Sequence, residues 1–162
     1  MKQKVVLAFS GGLDTSFCVP YLIHERGLEV HTVIVNTGGF SNEEAQRIEE
    51  RALTLGAASH TCIDAVDDYY TRGIRYLIFG NVLKNNTYPL SVSSERFFQA
   101  MAVLDHVKKT GADFVAHGST GAGNDQVRFD LVFEVLAPQV KIIAPIRELS
   151  LSRQQEIDYL KE

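Results

Sequence analysis

Near the start of the chain, Ser10-Gly11-Gly12-Leu13-Asp14-Thr15-Ser16 packs two adjacent glycines, three hydroxyls and one carboxylate into seven residues. Adjacent glycines let a backbone turn tightly and bring its N–H groups close to an anion. A helix that begins at Leu13 adds free N–H groups and the positive end of its dipole at the same point. Such a loop can hold a chain of phosphates; it could also be no more than a glycine turn that starts a helix. It lacks the lysine of GxxxxGK[ST] and the spacing of GxGxxG. Asp14 suits the start of a helix but repels phosphate, so beside a polyphosphate it needs a bridging Mg²⁺ or must point away.

A second polar segment, His117-Gly118-Ser119-Thr120-Gly121-Ala122-Gly123-Asn124-Asp125-Gln126-Val127-Arg128-Phe129, carries three glycines ahead of a dense polar set. The Arg128 guanidinium is a planar fork for a carboxylate, and Asp125 can accept from an ammonium. One segment could therefore recognise both ends of an amino acid, or Asn124 or Asp125 could simply cap a helix. Val35-Asn36-Thr37-Gly38-Gly39 is a third glycine turn, where Asn36 can meet a base or ribose or merely close the turn.

The elements that must position these loops alternate. Lys4 to Phe9, Glu29 to Asn36, Ala58 to Asp64, Asp113 to His117 and Lys141 to Ala144 read as strands, rich in β-branched residues. Leu13 to Arg26, Asn42 to Leu55, Ala65 to Phe79 and Glu95 to Thr110 read as helices. In the second, Ala45, Ile48, Ala52 and Leu55 share a face, Ser41 or Asn42 caps the start, and Gly56 the end. Gly111 stops the last of the four. Pro20, inside the first, is expected to kink it. In Gln126 to Leu136, Val127, Phe129, Leu131 and Phe133 alternate with period two, which favours a strand after Arg128. Leu151 to Glu162 reads as a final helix. The alternation predicts an α/β fold: three layers, a five-stranded parallel sheet and helices on both faces. Ligands of such sheets bind beyond the carboxyl ends of the strands, where all three glycine loops fall.

The bulk composition is that of one soluble domain spanning 1–162, with 45% hydrophobic and 22% charged residues. A net charge of −4 and the lack of any Lys/Arg cluster argue against a nucleic-acid partner. Cys18 and Cys62 sit in apolar runs and are expected to be buried free thiols, as in a reducing compartment. Neither a charged-then-apolar leader nor an apolar run of membrane-spanning length is seen, so a cytoplasmic protein with no membrane partner is expected.

The SGGxDTS form of the first loop resembles the PP-loop of the N-type ATP pyrophosphatases, which cleave ATP between the α- and β-phosphates and adenylate a substrate oxygen. Ala8-Phe9-Ser10-Gly11-Gly12-Leu13-Asp14-Thr15-Ser16, the run from His117 to Phe129, Ala137-Pro138-Gln139 and Ile143-Ala144-Pro145 together look like the argininosuccinate synthases. The resemblance covers nearly the whole chain. It implies an adenine nucleotide α-hydrolase-like fold and a ligase of arginine biosynthesis that joins citrulline and aspartate through a citrullyl-adenylate, releasing AMP and pyrophosphate. ATP and Mg²⁺ would be the cofactors, with Ala8 to Ser16, Asn36 and Gly118 at the nucleotide and Asp14 at the metal. Thr120, Asn124 and Asp125 would bind aspartate; Tyr88, Ser93, Asn124 and Arg128 would contact citrulline. No side chain stands out as a general acid or base. Rival expectations are another N-type pyrophosphatase (a GMP or NAD synthetase, or a tRNA-modifying type) and a non-catalytic nucleotide-binding module.

The chain departs from the resemblance in three ways. Where the family usually continues Tyr-Pro-Leu with Gly-Thr-Ser and Ala-Arg-Pro, this chain has Tyr88-Pro89-Leu90-Ser91-Val92-Ser93-Ser94-Glu95-Arg96, which alters one wall of the citrulline site. Ala122 stands where the family has a lysine. The family's synthetase domain and C-terminal oligomerisation helix are not expected within these residues. Full-length members are homo-oligomers, and this chain alone is expected to bind ATP and turn over slowly or not at all.

Overall fold

A computed structural model describes residues 2–161. Strand β1 (Lys4–Ala8) leads through the first glycine loop into α1 (Leu13–His24). Then follow β2 (Glu29–Asn36), α2 (Asn42–Thr54) and β3 (Ser59–Asp64). The five strands, completed by β6 (Phe114–His117) and β7 (Lys141–Ile143), form one parallel sheet in the order β3-β2-β1-β6-β7. The five strands expected for the parallel sheet are present, with ends differing by at most one residue.

β1 is central and buried on both sides. Val5, Leu7 and Phe9 point into a core shared with α1, where Phe17, Cys18, Val19 and Leu22 lie. Val6 points the other way, into a core built with α5 (Ser91–Thr110) and α6 (Asp125–Leu136), through Ala100, Val103, Leu104, Val132 and Phe133. This two-faced burial is why the strand is a continuous apolar run. α1 contains Pro20 without being ended by it. Ser41 and Glu44 make a reciprocal capping box at the start of α2. Gly56, at φ +98°, and Gly111, at φ +64°, follow the ends of α2 and α5 in the left-handed region.

Five local expectations are corrected. Residues 125–136 are helix, not strand. Phe129, Val132 and Phe133 pack inwards on the α5 side, whereas Val127, Leu131 and Val135 stay exposed. Both helix faces are apolar there, so the alternation of residues 127, 129, 131 and 133 is a sampling of opposite faces. The segment after β3 is not one regular helix: α3 (Val66–Tyr69) and α4 (Arg75–Phe79) are joined by a π-helical turn at Tyr70–Ile74. A hairpin of β4 (Leu83–Lys84) and β5 (Tyr88–Pro89) precedes α5, which begins at Ser91 and not at Glu95. Cys62 is exposed, on the edge strand β3 of the sheet; Cys18 is buried as expected. After β7 comes a short helix without an expected counterpart, α7 (Pro145–Leu149), and the helix expected over Leu151 to Glu162 is α8, Arg153–Tyr159, with Glu162 outside the described residues. Among the described residues no helix is long and apolar enough to cross a membrane.

Candidate functional site

The chain reverses its direction of sheet growth between β1 and β6, where Ala8 is paired in register with His117. The loops after these two strands therefore diverge around one crevice, the place where open α/β sheets take their ligands. A cleft of about 800 Å³ lies there. Its walls include Ser10, Gly12, Asp14 and Thr15 from the first loop and Gly118, Ser119, Thr120, Gly123 and Asp125 from the second.

Gly11 turns the first loop at φ +75°, and Gly12 is the N-cap of α1 without any side-chain cap. Ser10 Oγ accepts from the Gly12 N–H at 3.4 Å and lies 3.2 Å from Thr15 Oγ1, which donates to the Gly12 carbonyl at 3.3 Å. The start of α1 is thus open towards the cleft, with its dipole and backbone donors suited to an anion. Ser16 sits differently from Ser10 and Thr15: fully buried, its Oγ accepts from Arg51 Nε at 2.9 Å and ties α1 to α2.

The two loops touch. A Cβ on Gly118 would come within 2.9 Å of Thr15 Cγ2 and 3.2 Å of the Thr15 backbone nitrogen, so only glycine permits this approach. The second loop leads to Asn124, which stands at the N-cap of α6 without a side-chain cap bond. Asp125 accepts from Arg128 at 2.7 Å and from Arg96 at 3.3 Å, and Arg128 also donates to Ser93 Oγ at 3.0 Å. Ser93, Asp125 and Arg128 are thereby brought together by hydrogen bonds; Asp125 and Thr120 line the cleft, whereas Ser93, Asn124 and Arg128 stand behind its wall. Tyr88 lies apart on the hairpin, half exposed, and is not on the cleft wall. The Asn36 side chain accepts from the Gly38 N–H at 2.8 Å, within its own turn, and the neighbouring wall is formed by Val33, Ile34 and Val35.

Three polar wall residues escaped the sequence reading: Arg96, Gln99 and Arg153. Arg96 and Gln99 form one hydrogen-bonded set with Glu95, whose carboxylate also accepts from Thr37 Oγ1. Arg153 arrives from α8, far along the chain, and no local pattern could have signalled it. The capping box of Ser152 and Gln155 is the sequence feature that sets where its helix starts.

Burial governs the titratable groups. His117 is buried and its imidazole is held below the usual range, burial outweighing the opposing pull of Asp130. For Asp130, burial would raise the carboxyl, but bonds from Arg147 and His117 outweigh it and hold it low. Glu156 of α8 is buried, and burial together with Asp14 pushes its carboxyl up; its Oε2 has no hydrogen-bond partner. The Cys18 thiol is pushed up by burial. Among the described residues no group of three His, Cys, Asp or Glu could hold a metal ion. A divalent cation here would therefore depend largely on phosphate oxygens and water.

Comparison with known proteins identifies the family. A family model described as the "Arginosuccinate synthase N-terminal HUP domain" matches residues 4–162. The chain is 46% identical over 160 residues to the argininosuccinate synthase of Saccharolobus solfataricus, covering 99% of this chain and 40% of that protein. It is 44% identical over 158 residues to that of Synechocystis, covering 97% and 39%. The chain thus spans about 40% of the length of these relatives. Among solved structures, a "predicted subunit of tRNA methyltransferase" from Methanocaldococcus jannaschii superposes with a TM-score of 0.63 at 17% identity, covering 99% of this chain and 75% of that one. NMN synthetase from Francisella tularensis gives a TM-score of 0.56 at 11% identity, covering 99% and 77%. These two likenesses concern the fold. With a match from β1 to the end of α8, the chain belongs to the argininosuccinate synthase N-terminal HUP domain family.

Proposed function

We propose that this chain is the ATP-binding domain of an argininosuccinate-forming ligase and carries the nucleotide half of its active site. The observation that supports this best is the contact of the two glycine loops at Gly118 and Thr15, beside the Ser93–Arg128–Asp125 cluster. In this reading Ala8 to Ser16 cradle the pyrophosphate, Gly118 borders the nucleotide, and Asn36 lies near the adenine or ribose. Arg128 and Ser93, with Asn124 and Tyr88, hold citrulline; Thr120, Asn124 and Asp125 hold aspartate.

The ureido oxygen of citrulline attacks the α-phosphate, an O–P bond forms and pyrophosphate leaves. The aspartate amine then attacks the ureido carbon, AMP leaves and the amine gives up a proton. Without a side chain placed as general acid or base, the protein's share is positioning and charge stabilisation by backbone donors. Mg²⁺, when bound with ATP, supplies neutralisation of the phosphate charge; Asp14 is the residue that would hold it.

Calorimetric titration of the chain with ATP and Mg²⁺, with and without citrulline and aspartate, tests the reading. ATP should bind, and Gly12→Val should weaken binding at least about tenfold. Release of pyrophosphate by this chain alone should be slow or absent, because it spans about 40% of its relatives. Binding of ATP with no coupling to citrulline would favour a non-catalytic nucleotide module instead. No binding at all would sink the proposal.

A further inference from the structure

The loop 118–124 is pinned from behind by side chains that do not belong to the proposed ligand contacts. The Ser119 N–H donates to His117 Nδ1 at 3.2 Å. A backbone N–H can only donate, so Nδ1 is an acceptor and the ring proton resides on Nε2, which donates to Asp130 Oδ1 at 2.9 Å. The other Asp130 oxygen receives Arg147 from α7. The same Arg147 nitrogen reaches Gln126 Oε1 at 3.2 Å, which turns the Gln126 amide so that Nε2 donates to the Gly121 carbonyl at 2.7 Å. Two atoms of the loop backbone, the Ser119 N–H and the Gly121 oxygen, are thus fixed through one network spanning β6, α6 and α7.

We propose that His117, Asp130, Arg147 and Gln126 are positioning residues that hold this loop in its nucleotide-receiving shape only while His117 is neutral. The inference rests on the proposed function for its ligand, and on geometry for its mechanism. A protonated imidazole has a donor on each nitrogen. Its Nδ1–H would then face the Ser119 N–H, and the bond that fixes the loop at Ser119 would be lost, leaving Gln126 to hold it at Gly121. The charged groups acting on His117 are Asp130 from α6 and Arg147 and Glu148 from α7. Asp130 and Glu148 favour its protonation, whereas burial and Arg147 oppose it.

The two partners therefore pull the His117 titration in opposite directions, and an ATP affinity that follows the ring in both directions is what a purely structural role would not reproduce. In Asp130→Asn the midpoint should fall; in Arg147→Met it should rise. Nuclear magnetic resonance on the full chain follows the His117 ring nitrogens and the Ser119 amide against pH. The Ser119 amide should titrate with the ring, and the Nε2–H tautomer should dominate at about pH 7.5. In parallel, the affinity for ATP with Mg²⁺ should fall at least about tenfold across the same titration, and its acid limb should move with the ring in each variant. The ligand's own ionisation is common to all proteins and cancels in that comparison. Gln126→Ala should weaken ATP binding by about threefold without moving the limb. Amide spectra establish that each variant is folded. An Nδ1–H tautomer, a Ser119 amide indifferent to the ring, or an affinity limb that stays fixed while the ring titration moves would each overturn the proposal. ATP that fails to bind at any pH would defeat the proposed function, while the resonance measurements would still decide the state of the loop.

Discussion

A methyl group placed on Gly12 would meet only Ser10 Oγ, at 3.4 Å, and the backbone there, at φ −74°, suits any residue. Folding does not require glycine at this position, so the space beside it is available to a ligand. Gly12→Val should leave the thermal midpoint nearly unchanged and weaken ATP binding by about 1.4 kcal/mol or more, a tenfold loss, in calorimetry. Glu156 presents a different balance. Its carboxyl is raised by burial and by Asp14, so the protonated form fits the fold and the ionised form strains it. The stability it contributes is present below the carboxyl's unfolded pKa and is lost as pH rises through the higher folded value. Glu156→Gln should therefore raise the thermal midpoint at about pH 8 and give no gain at about pH 4. Equal effects at both values would contradict this account.

At the scale of elements, the contact between the two glycine loops is as tight as van der Waals radii allow. Gly118→Ala would press on Thr15 and on the backbone of the first loop, forcing β6 and α1 to separate at their ends. We expect a loss of about 1–3 kcal/mol of stability in denaturant titration, together with weakened ATP binding. Loss of binding with unchanged stability would point to a direct ligand contact instead. Both loops were legible in the sequence, because glycine pairs at strand ends report on backbone geometry that is local. The strands and α2 were legible for the same reason: their burial follows a period, and Ser41 and Gly56 mark the ends of the helix. α6 was not, since Val127, Leu131 and Val135 keep its outer face apolar and erase the contrast that reveals a helix. The exposure of Cys62 depends on where β3 falls in the sheet, which its neighbours in sequence do not encode. Arg96 and Arg153 reach the cleft from α5 and α8, and only the assembled fold brings them there.

Across the whole molecule, β1 is the element that both cores share. Leu7 is buried in the core on the α1 side, and Leu104 of α5 is buried in the other. If the sheet makes these one cooperative unit, Leu7→Ala and Leu104→Ala should each cost about 2–5 kcal/mol and shift the same single calorimetric transition. Two separable transitions would show that the layers melt independently. The strand order has a temporal side as well. β1, α1, β2, α2 and β3 are contiguous in the chain and can pair as they emerge, but β6 must insert beside β1 after the long passage through α5. A nascent chain released only as far as Ala112 already owns the first glycine loop, yet has nothing to set against it. The cleft is therefore assembled by the most sequence-distant pairing next to β1, the kind of contact whose loop-closure cost comes before its reward. ATP then cannot act as a template for the early half of the fold; it can only trap the finished one, slowing unfolding while leaving the rate of folding untouched.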